Sequence, residues 1–132
     1  MSLAGLPERI RNELPEIENT VKRAVEGLHR AKQSGDDHYL DGVALNLHGF
    51  YSGIERIFEL IAVHVDETLP KGENWHQILL KQMAEELAGV RPAVISDPVL
   101  QNLDEYRGFL HIVRNVYSYK FDGLVKTYAK SP

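Results

Sequence analysis

The chain has 132 residues, with 15 Lys and Arg against 19 Asp and Glu, for a formal net charge of −4. This length suits one domain with a core of its own, and the acidic balance argues against a general nucleic-acid-binding protein, which normally carries a basic excess. The absence of cysteine excludes a disulfide framework, a thiolate nucleophile and a cysteine-based zinc site.

The six histidines and the apolar runs narrow the class further. No two histidines lie three or four residues apart, so no helix carries a two-histidine metal clip, and we predict neither a metal nor a cofactor. The apolar runs are too short to span a bilayer. Charges follow soon after Met1, unlike in a secretory leader. We therefore expect a cytoplasmic protein with no membrane partner.

The first apolar pattern predicts a long helix. Apolar residues recur at steps of three and four over residues 10–28, which is the helical period. Pro15 interrupts that stretch, so we expect a kink or a late start of the helix there. Gly35, followed by an acidic pair at 36–37, predicts the end of this helix and the start of the next.

The second and third predicted helices flank a turn. The helical period holds over residues 40–65, and the run Leu-Pro-Lys-Gly at 69–72 ends it. Asn74, with Gln77 three residues later, is typical of a capping box at the start of a third helix. Trp75 begins the apolar stripe of that helix, which we predict to reach residue 87 with Trp75 largely buried.

The last predicted helix follows an ordered loop at 89–96. Asp97, followed by proline, predicts a helix start, and apolar residues recur with helical spacing over 100–117. We expect a short segment at 124–128 to add a final turn or two. Four helices with short connectors and no strand-like alternation predict a single all-α domain over residues 1–132. Its expected architecture is an antiparallel up-down four-helix bundle with a short C-terminal extra helix.

The second helix carries three glycines on one face. Gly42, Gly49 and Gly53 share a side that points away from the apolar stripe of the same helix. Glycine costs about 1 kcal/mol in a helix interior, so three on one face indicate a close approach of another backbone. We expect that backbone to belong to a second subunit; the alternative is a neighbouring helix of the same bundle.

The fourth helix carries a polar stripe beside its apolar one. Arg107, His111 and Arg114 lie at steps of four and three and so project from one face, with Asn115 on its flank. Two guanidiniums around an imidazole can bind phosphate and transfer a proton, which is the equipment for acid–base cleavage of RNA. The alternative is a solvated face whose arginines pair with acids such as Asp104.

Four blocks of the sequence resemble one family. Residues 106–117, YRGFLHIVRNVY, resemble the signature helix of HepT-like proteins in the HEPN superfamily, and 47–58, 69–76 and 89–92 are also similar to that family. Family members are all-helical bundles that dimerise, and many are toxins of toxin–antitoxin pairs that act as metal-independent ribonucleases. Their partner is a minimal nucleotidyltransferase, MntA, which silences the toxin by adenylylating a tyrosine just after the catalytic histidine.

The catalytic motif of the family is only partly matched. It consists of an arginine, four to six residues, a histidine, and often a tyrosine one residue beyond. Aligning on Tyr117 places Asn115 at the histidine position and Leu110 at or near the arginine position. Asparagine can hydrogen-bond a phosphate or hydroxyl but cannot shuttle a proton near neutral pH. Arg107 and His111 are separated by three residues, one short of the motif.

The resemblance implies a HepT-like toxin–antitoxin component that acts as a homodimer on RNA, with a nucleotidyltransferase as antitoxin. Arg107 and Arg114 would hold phosphate, His111 would supply acid–base catalysis, Glu55 would orient one of these groups, and Tyr117 would be the adenylylated residue. Enzymatic activity stays open. One alternative is a degenerate interaction module that binds the nucleotidyltransferase, and another is a structural helical dimer.

Overall fold

The computed structural model describes residues 5–111. Its main elements are the helices α1 (Leu6–Ser34), α2 (His38–Ile61) and α3 (Trp75–Ala84), and α4, which is helical at 97–111. A π-helical turn, Ala62–Asp66, continues α2. The all-α class is confirmed for these residues, whereas the complete up-down bundle stays a prediction and the extra helix at 124–128 lies outside them. None of the described helices combines the length and apolarity needed to cross a membrane.

Helix α1 begins earlier than the sequence predicts. It runs without interruption through Pro15, so the expected late start is wrong. Proline has no N–H, so one hydrogen bond of the helix is missing. Ile17 and Ala24, which follow Pro15 along the helix, are nevertheless buried and hold the helix against its neighbour. The helix ends as predicted at Gly35, whose φ of 68° is a conformation that favours glycine.

Part of the predicted α1 stripe faces outward. Ile17 is buried, but four other members of the stripe are 40–48% exposed. These four are Leu14, Val21, Val25 and Leu28. Their burial depends on which neighbours α1 has, and the helical period in the sequence does not contain that information.

Helices α1 and α2 pack closely in an antiparallel pair because small residues on each helix admit large residues of the other. A Cβ atom at Gly27 of α1 would lie 2.8 Å from Val43, and one at Gly53 of α2 would lie 2.5 Å from Ile17. At Gly49 the nearest neighbour would again be an α1 side chain. The expected subunit contact is therefore wrong for Gly49 and Gly53, whose face is occupied by a helix of the same chain.

The apolar core joins the end of α2 to α3. Trp75 packs against it but is only partly buried, so the expected large burial of this side chain is not reached. Within residues 5–111, the buried members of this core are Phe58, Ala62, Leu79, Leu80 and Met83.

The helix starts are close to their predicted positions, but their caps differ. Asn74 occupies the N-cap of α3 without a side-chain hydrogen bond, so the expected capping box does not form. At α4 the cap is Ser96 rather than Asp97: its carbonyl accepts from Leu100 N–H at 2.9 Å, and its hydroxyl accepts from Val99 N–H at 3.4 Å. Helix α3 also ends at residue 84, before the predicted 87.

A buried ion pair ties the end of α2 to the loop after α3. Arg91 donates from Nε and Nη2 to the two carboxylate oxygens of Asp66, at 2.6 and 2.7 Å. The same guanidinium donates to the carbonyls of Glu85 and Gln82, at 2.8 and 3.1 Å. The side chains of Asp66 and Arg91 are only 1% and 7% exposed, so each charge depends on the other for compensation.

This pair also couples stability to pH. Burial by itself would raise the pKa of Asp66, but hydrogen bonds from Arg91 and Gln82 outweigh burial and lower the pKa below its usual value. A carboxyl group with a lowered pKa stabilises the fold above its unfolded-state pKa, and that contribution is lost as the pH falls through the folded-state pKa.

Two glycines of α2 should respond in opposite directions to alanine. Gly53→Ala places a methyl group against Ile17, and overpacking of this kind costs about 1–3 kcal/mol of unfolding free energy. Gly42→Ala is the matched control, because a Cβ there meets nothing within 4 Å; it should stabilise the helix by about 0.5–1 kcal/mol. Urea denaturation measures both. Equal effects of the two substitutions would contradict this packing of α1 on α2.

Removal of the buried guanidinium should be strongly destabilising. Arg91→Ala leaves Asp66 buried without its partner, which typically costs about 3–5 kcal/mol, and the loss of stability below about pH 4 should shrink. Arg30→Ala is the control, since its ion pair with Glu26 is exposed on both sides and should be worth less than about 1 kcal/mol. Thermal and acid denaturation measure the stability of both variants. Similar losses of stability for Arg91→Ala and Arg30→Ala would contradict the buried ion pair.

Candidate functional site

Side chains from three helices converge on one small cleft. Its volume is about 90 Å³, well below the roughly 300–1,000 Å³ of pockets that enclose a drug-sized ligand. A cleft of this size admits one small group of a larger molecule, such as a phosphodiester. The lining residues are His48, Tyr51, Ser52, Glu55, His76, Arg107, Leu110 and His111.

Helical spacing explains most of this convergence. His48, Ser52 and Glu55 lie at steps of four and three on α2, so they share a face. Arg107 and His111 lie four residues apart on α4 and share a face in the same way. Tyr106 fixes α4 on α2, because its hydroxyl donates to the carbonyl of Leu47, 3.0 Å away.

Glu55 and His76 form a partly buried pair across the junction of α2 and α3. Glu55 is only 9% exposed, and its Oε2 is hydrogen-bonded to Nδ1 of His76, in the first turn of α3. The ring of Trp75 lies on the imidazole, with 3.6 Å between ring centroids. His76 itself stays 41% exposed on the cleft side of the pair. The imidazole is thus held in a defined orientation while it stays accessible.

Tyr51 places a buried hydroxyl in the wall of the cleft. The residue is 5% exposed, and its hydroxyl has no hydrogen-bond partner among residues 5–111. Burial raises the pKa of Tyr51 and the charge of Glu55 raises it further, whereas Arg107 acts in the opposite direction. The ring stacks on Tyr106, with 6.1 Å between centroids, and this contact restricts the orientation of the Tyr51 side chain.

Arg107 lines the cleft and also pairs with an acid of its own helix. Its Nη2 lies 3.1 Å from Asp104 Oδ1, and the side chain of Asp104 is 50% exposed. The ion pair with Asp104, which was the alternative interpretation of this arginine in the sequence, is therefore present. A pair of this exposure contributes little stability, so Arg107 can exchange its carboxylate for a phosphate at low cost.

The structure brings together three of the six predicted site residues. Glu55, Arg107 and His111 line the same cleft. Among the described contacts, Glu55 pairs with His76 of α3 and not with a side chain of α4. Three predicted residues lie outside the described part of the chain: Arg114, Asn115 and Tyr117.

Sequence reasoning missed the other polar members of the cleft. From the sequence, His48 and His76 are expected to be only structural or exposed, and nothing there points to Tyr51 or Ser52. The spacing of His48 and Ser52 relative to Glu55 is a usable signal, because all three share one face of α2. No such signal exists for His76, which is 21 residues from Glu55 along the chain and meets it only in the fold.

A larger groove lies elsewhere, between α1 and the last turns of α2. Its volume is about 520 Å³, but most of the charged side chains that line it have a partner within the groove. Arg56 contacts Glu13 at 3.1 Å, and Arg9 Nη1 lies 3.2 Å from His64 Nε2. The small cleft is the stronger candidate, because it combines several imidazoles with a buried carboxylate and a buried hydroxyl. In residues 5–111 no three His, Asp or Glu side chains are grouped to hold a metal ion.

Comparison with known proteins identifies a family. The family model described as HepT-like protein matches residues 42–130, roughly two-thirds of the chain, and this range contains every residue of the cleft. No curated protein matches the chain, and no solved structure does.

The two stacked tyrosines should differ in their contribution to stability. Tyr51→Phe removes a buried hydroxyl without a described partner, which should leave the unfolding free energy unchanged or raise it by up to about 1 kcal/mol. Tyr106→Phe removes the hydrogen bond to Leu47 and should lower the unfolding free energy by about 1 kcal/mol. Chemical denaturation compares the two. A clear loss for Tyr51→Phe would contradict the unpartnered hydroxyl.

Proposed function

The chain belongs to the HepT-like protein family, and on this premise we propose that it is the toxin-like component of a toxin–antitoxin pair and cleaves RNA in the small cleft without a metal ion. The observation that carries the proposal is the convergence of His111 and Arg107 with two further imidazoles, His48 and His76, in one cleft. The size of the cleft suits a single phosphodiester group of a polynucleotide.

The chemistry of RNA cleavage matches these side chains. A base removes the proton of the ribose 2′-hydroxyl, the oxygen attacks the neighbouring phosphorus, and the bond from phosphorus to the 5′-oxygen breaks. An acid returns a proton to that oxygen, which leaves a 2′,3′-cyclic phosphate and a 5′-hydroxyl end. Imidazole serves as base or acid near neutral pH, and a guanidinium stabilises the charge on the phosphate.

Each α4 residue has a role in this scheme. His111 transfers a proton, and Arg107 releases Asp104 to hold the phosphate, as the exposure of that ion pair allows. Arg114 adds a second guanidinium, as its position in the sequence, about one turn beyond His111 and two turns beyond Arg107, suggests. Asn115, in the family's histidine position, hydrogen-bonds the substrate without transferring a proton.

The proposal extends to partners on the basis of the family resemblance. The protein acts as a homodimer, and its antitoxin is a minimal nucleotidyltransferase that adenylylates Tyr117. The bulk and negative charge of an added AMP near Arg114 would oppose phosphate binding there.

Loss of the α4 imidazole should slow cleavage strongly. His111→Ala should lower kcat/KM on single-stranded RNA by about 10²–10⁴-fold, the usual contribution of a general acid or base. Arg107→Ala should raise KM and weaken its dependence on salt, because a phosphate contact is removed. His29→Ala is the control: this histidine lies exposed on α1, outside the cleft.

Two results would contradict this proposal. Cleavage by the wild type that survives His111→Ala would place the activity elsewhere. A wild type that cleaves no RNA at any concentration would instead favour the noncatalytic interaction module, for which the test is complex formation with the nucleotidyltransferase.

A further inference from the structure

We propose that His76, oriented by Glu55, is the second proton-transfer group of the cleft and acts as the general base, while His111 acts as the general acid. The inference rests on the proposed function and adds to it a catalytic residue from α3. Cleavage of RNA requires two proton transfers, and the sequence motif on α4 supplies one histidine for them.

The contact between Glu55 and His76 determines which imidazole nitrogen is available. An ionised carboxylate only accepts hydrogen bonds, so Nδ1 of His76, the atom that contacts Glu55, carries the proton. In the neutral ring Nε2 then holds a free lone pair and can remove a proton. When it does so, the carboxylate stabilises the imidazolium that forms. Glu55 is therefore a positioning residue, and His76 is the group that meets the substrate.

Three features hold the imidazole ready for this role. Glu55 is buried, so its charge acts through a medium of lower dielectric than water. The ring of Trp75 covers one face of the imidazole, with 3.6 Å between ring centroids. The His76 side chain is nevertheless 41% exposed and lines the cleft, so a substrate can reach it. An imidazole that is fixed on Nδ1 and accessible elsewhere is typical of a general base.

A purely structural role for the pair explains less. The core cluster already joins α2 to α3 with buried apolar contacts, and the Asp66–Arg91 pair fixes the loop that follows. An additional structural contact between α2 and α3 would not require a carboxylate in a buried position, where an ionised group is costly. It would also not require the partner imidazole to line a cleft that holds Arg107 and His111.

In the proposed step one bond to phosphorus forms and one breaks. Nε2 of His76 takes the 2′-hydroxyl proton, and the bond between the 2′-oxygen and phosphorus forms. The bond between phosphorus and the 5′-oxygen breaks, its electron pair goes to that oxygen, and the His111 imidazolium protonates it. His76 ends protonated and His111 neutral, and exchange of one proton each with water restores the starting state. No oxidant, reductant or metal ion takes part.

A substrate with a better leaving group separates the two roles. The full chain is assayed on an RNA dinucleotide and on the same dinucleotide with sulfur in place of the bridging 5′-oxygen. Sulfur leaves as a thiolate without a proton, so His111→Ala should regain most of the wild-type kcat/KM on the sulfur substrate. His76→Ala should stay about 10²–10⁴-fold below wild type on both substrates.

The pH profile and the split between kcat and KM test the pair. The charged and titratable groups that line the cleft around His76 are Glu55 and His48 of α2 and Arg107 and His111 of α4. The acidic limb of the wild-type profile reports the general base, so His76→Ala should abolish it. Glu55→Gln should lower kcat with little change in KM, because the imidazole loses the carboxylate that orients it, and Glu55→Asp should partly restore kcat. A structural role would leave kcat and the limb in place.

Controls separate folding and binding from chemistry. His76→Gln is tested beside His76→Ala, so that a folded variant exists if alanine destabilises α3, and thermal unfolding is recorded for each. Affinity for a 2′-deoxy analogue, which lacks the attacking hydroxyl, should change less than about twofold. His29→Ala should match the wild type throughout.

The outcomes distinguish this inference from the proposed function. If the wild type cleaves RNA and the folded His76 variants retain its rate and its acidic limb, the inference is wrong while the proposed function stands. If the sulfur substrate rescues the His76 variants instead of His111→Ala, the assignment of base and acid is wrong. A wild type that cleaves neither dinucleotide overturns both.

Discussion

The buried pair between Asp66 and Arg91 is the constraint on which the arrangement around the cleft depends. It fixes the end of the π-helical turn after α2 and the loop after α3 at one point, through two charge-assisted hydrogen bonds of 2.6 and 2.7 Å. Gln82, near the end of α3, donates to the same carboxylate at 2.8 Å. The end of α3 is thus held at the turn that continues α2. Because α3 is one continuous helix, this contact also restricts where its start can lie relative to α2.

The start of α3 is the part of the fold that completes the cleft. It places His76 against Glu55, two residues that are 21 positions apart in the chain. Trp75 packs partly on the core and partly on the imidazole, so the same side chain stabilises the fold and orients His76. Helix α4 is fixed from the other side, where Tyr106 donates to α2 and stacks on Tyr51. Stability and site geometry therefore rest on shared contacts, and substitutions at these positions will affect both.

The predicted elements differ from the structure where neighbours decide the outcome. Pro15 does not delay α1, because burial of residues around it outweighs one lost hydrogen bond. The glycine face of α2 is a real close-packing surface, but α1 fills it at Gly49 and Gly53. A glycine signals that another backbone or side chain comes close; it does not say whether that neighbour belongs to the same chain. The cap at Asn74 lies at the predicted position but lacks its side-chain hydrogen bond.

The sequence by itself determined the helical class, the approximate limits of the helices and the resemblance to HepT-like proteins, because these depend on spacing along one chain segment. It also placed Arg107 and His111 on one face of α4, since a step of four residues is one helical turn. Only the tertiary structure decided that Glu55 meets His76 and that both line the cleft with α4. The physical reason is that a contact between different helices depends on how the helices pack and where the loops end, and no periodicity within a single helix encodes that distance.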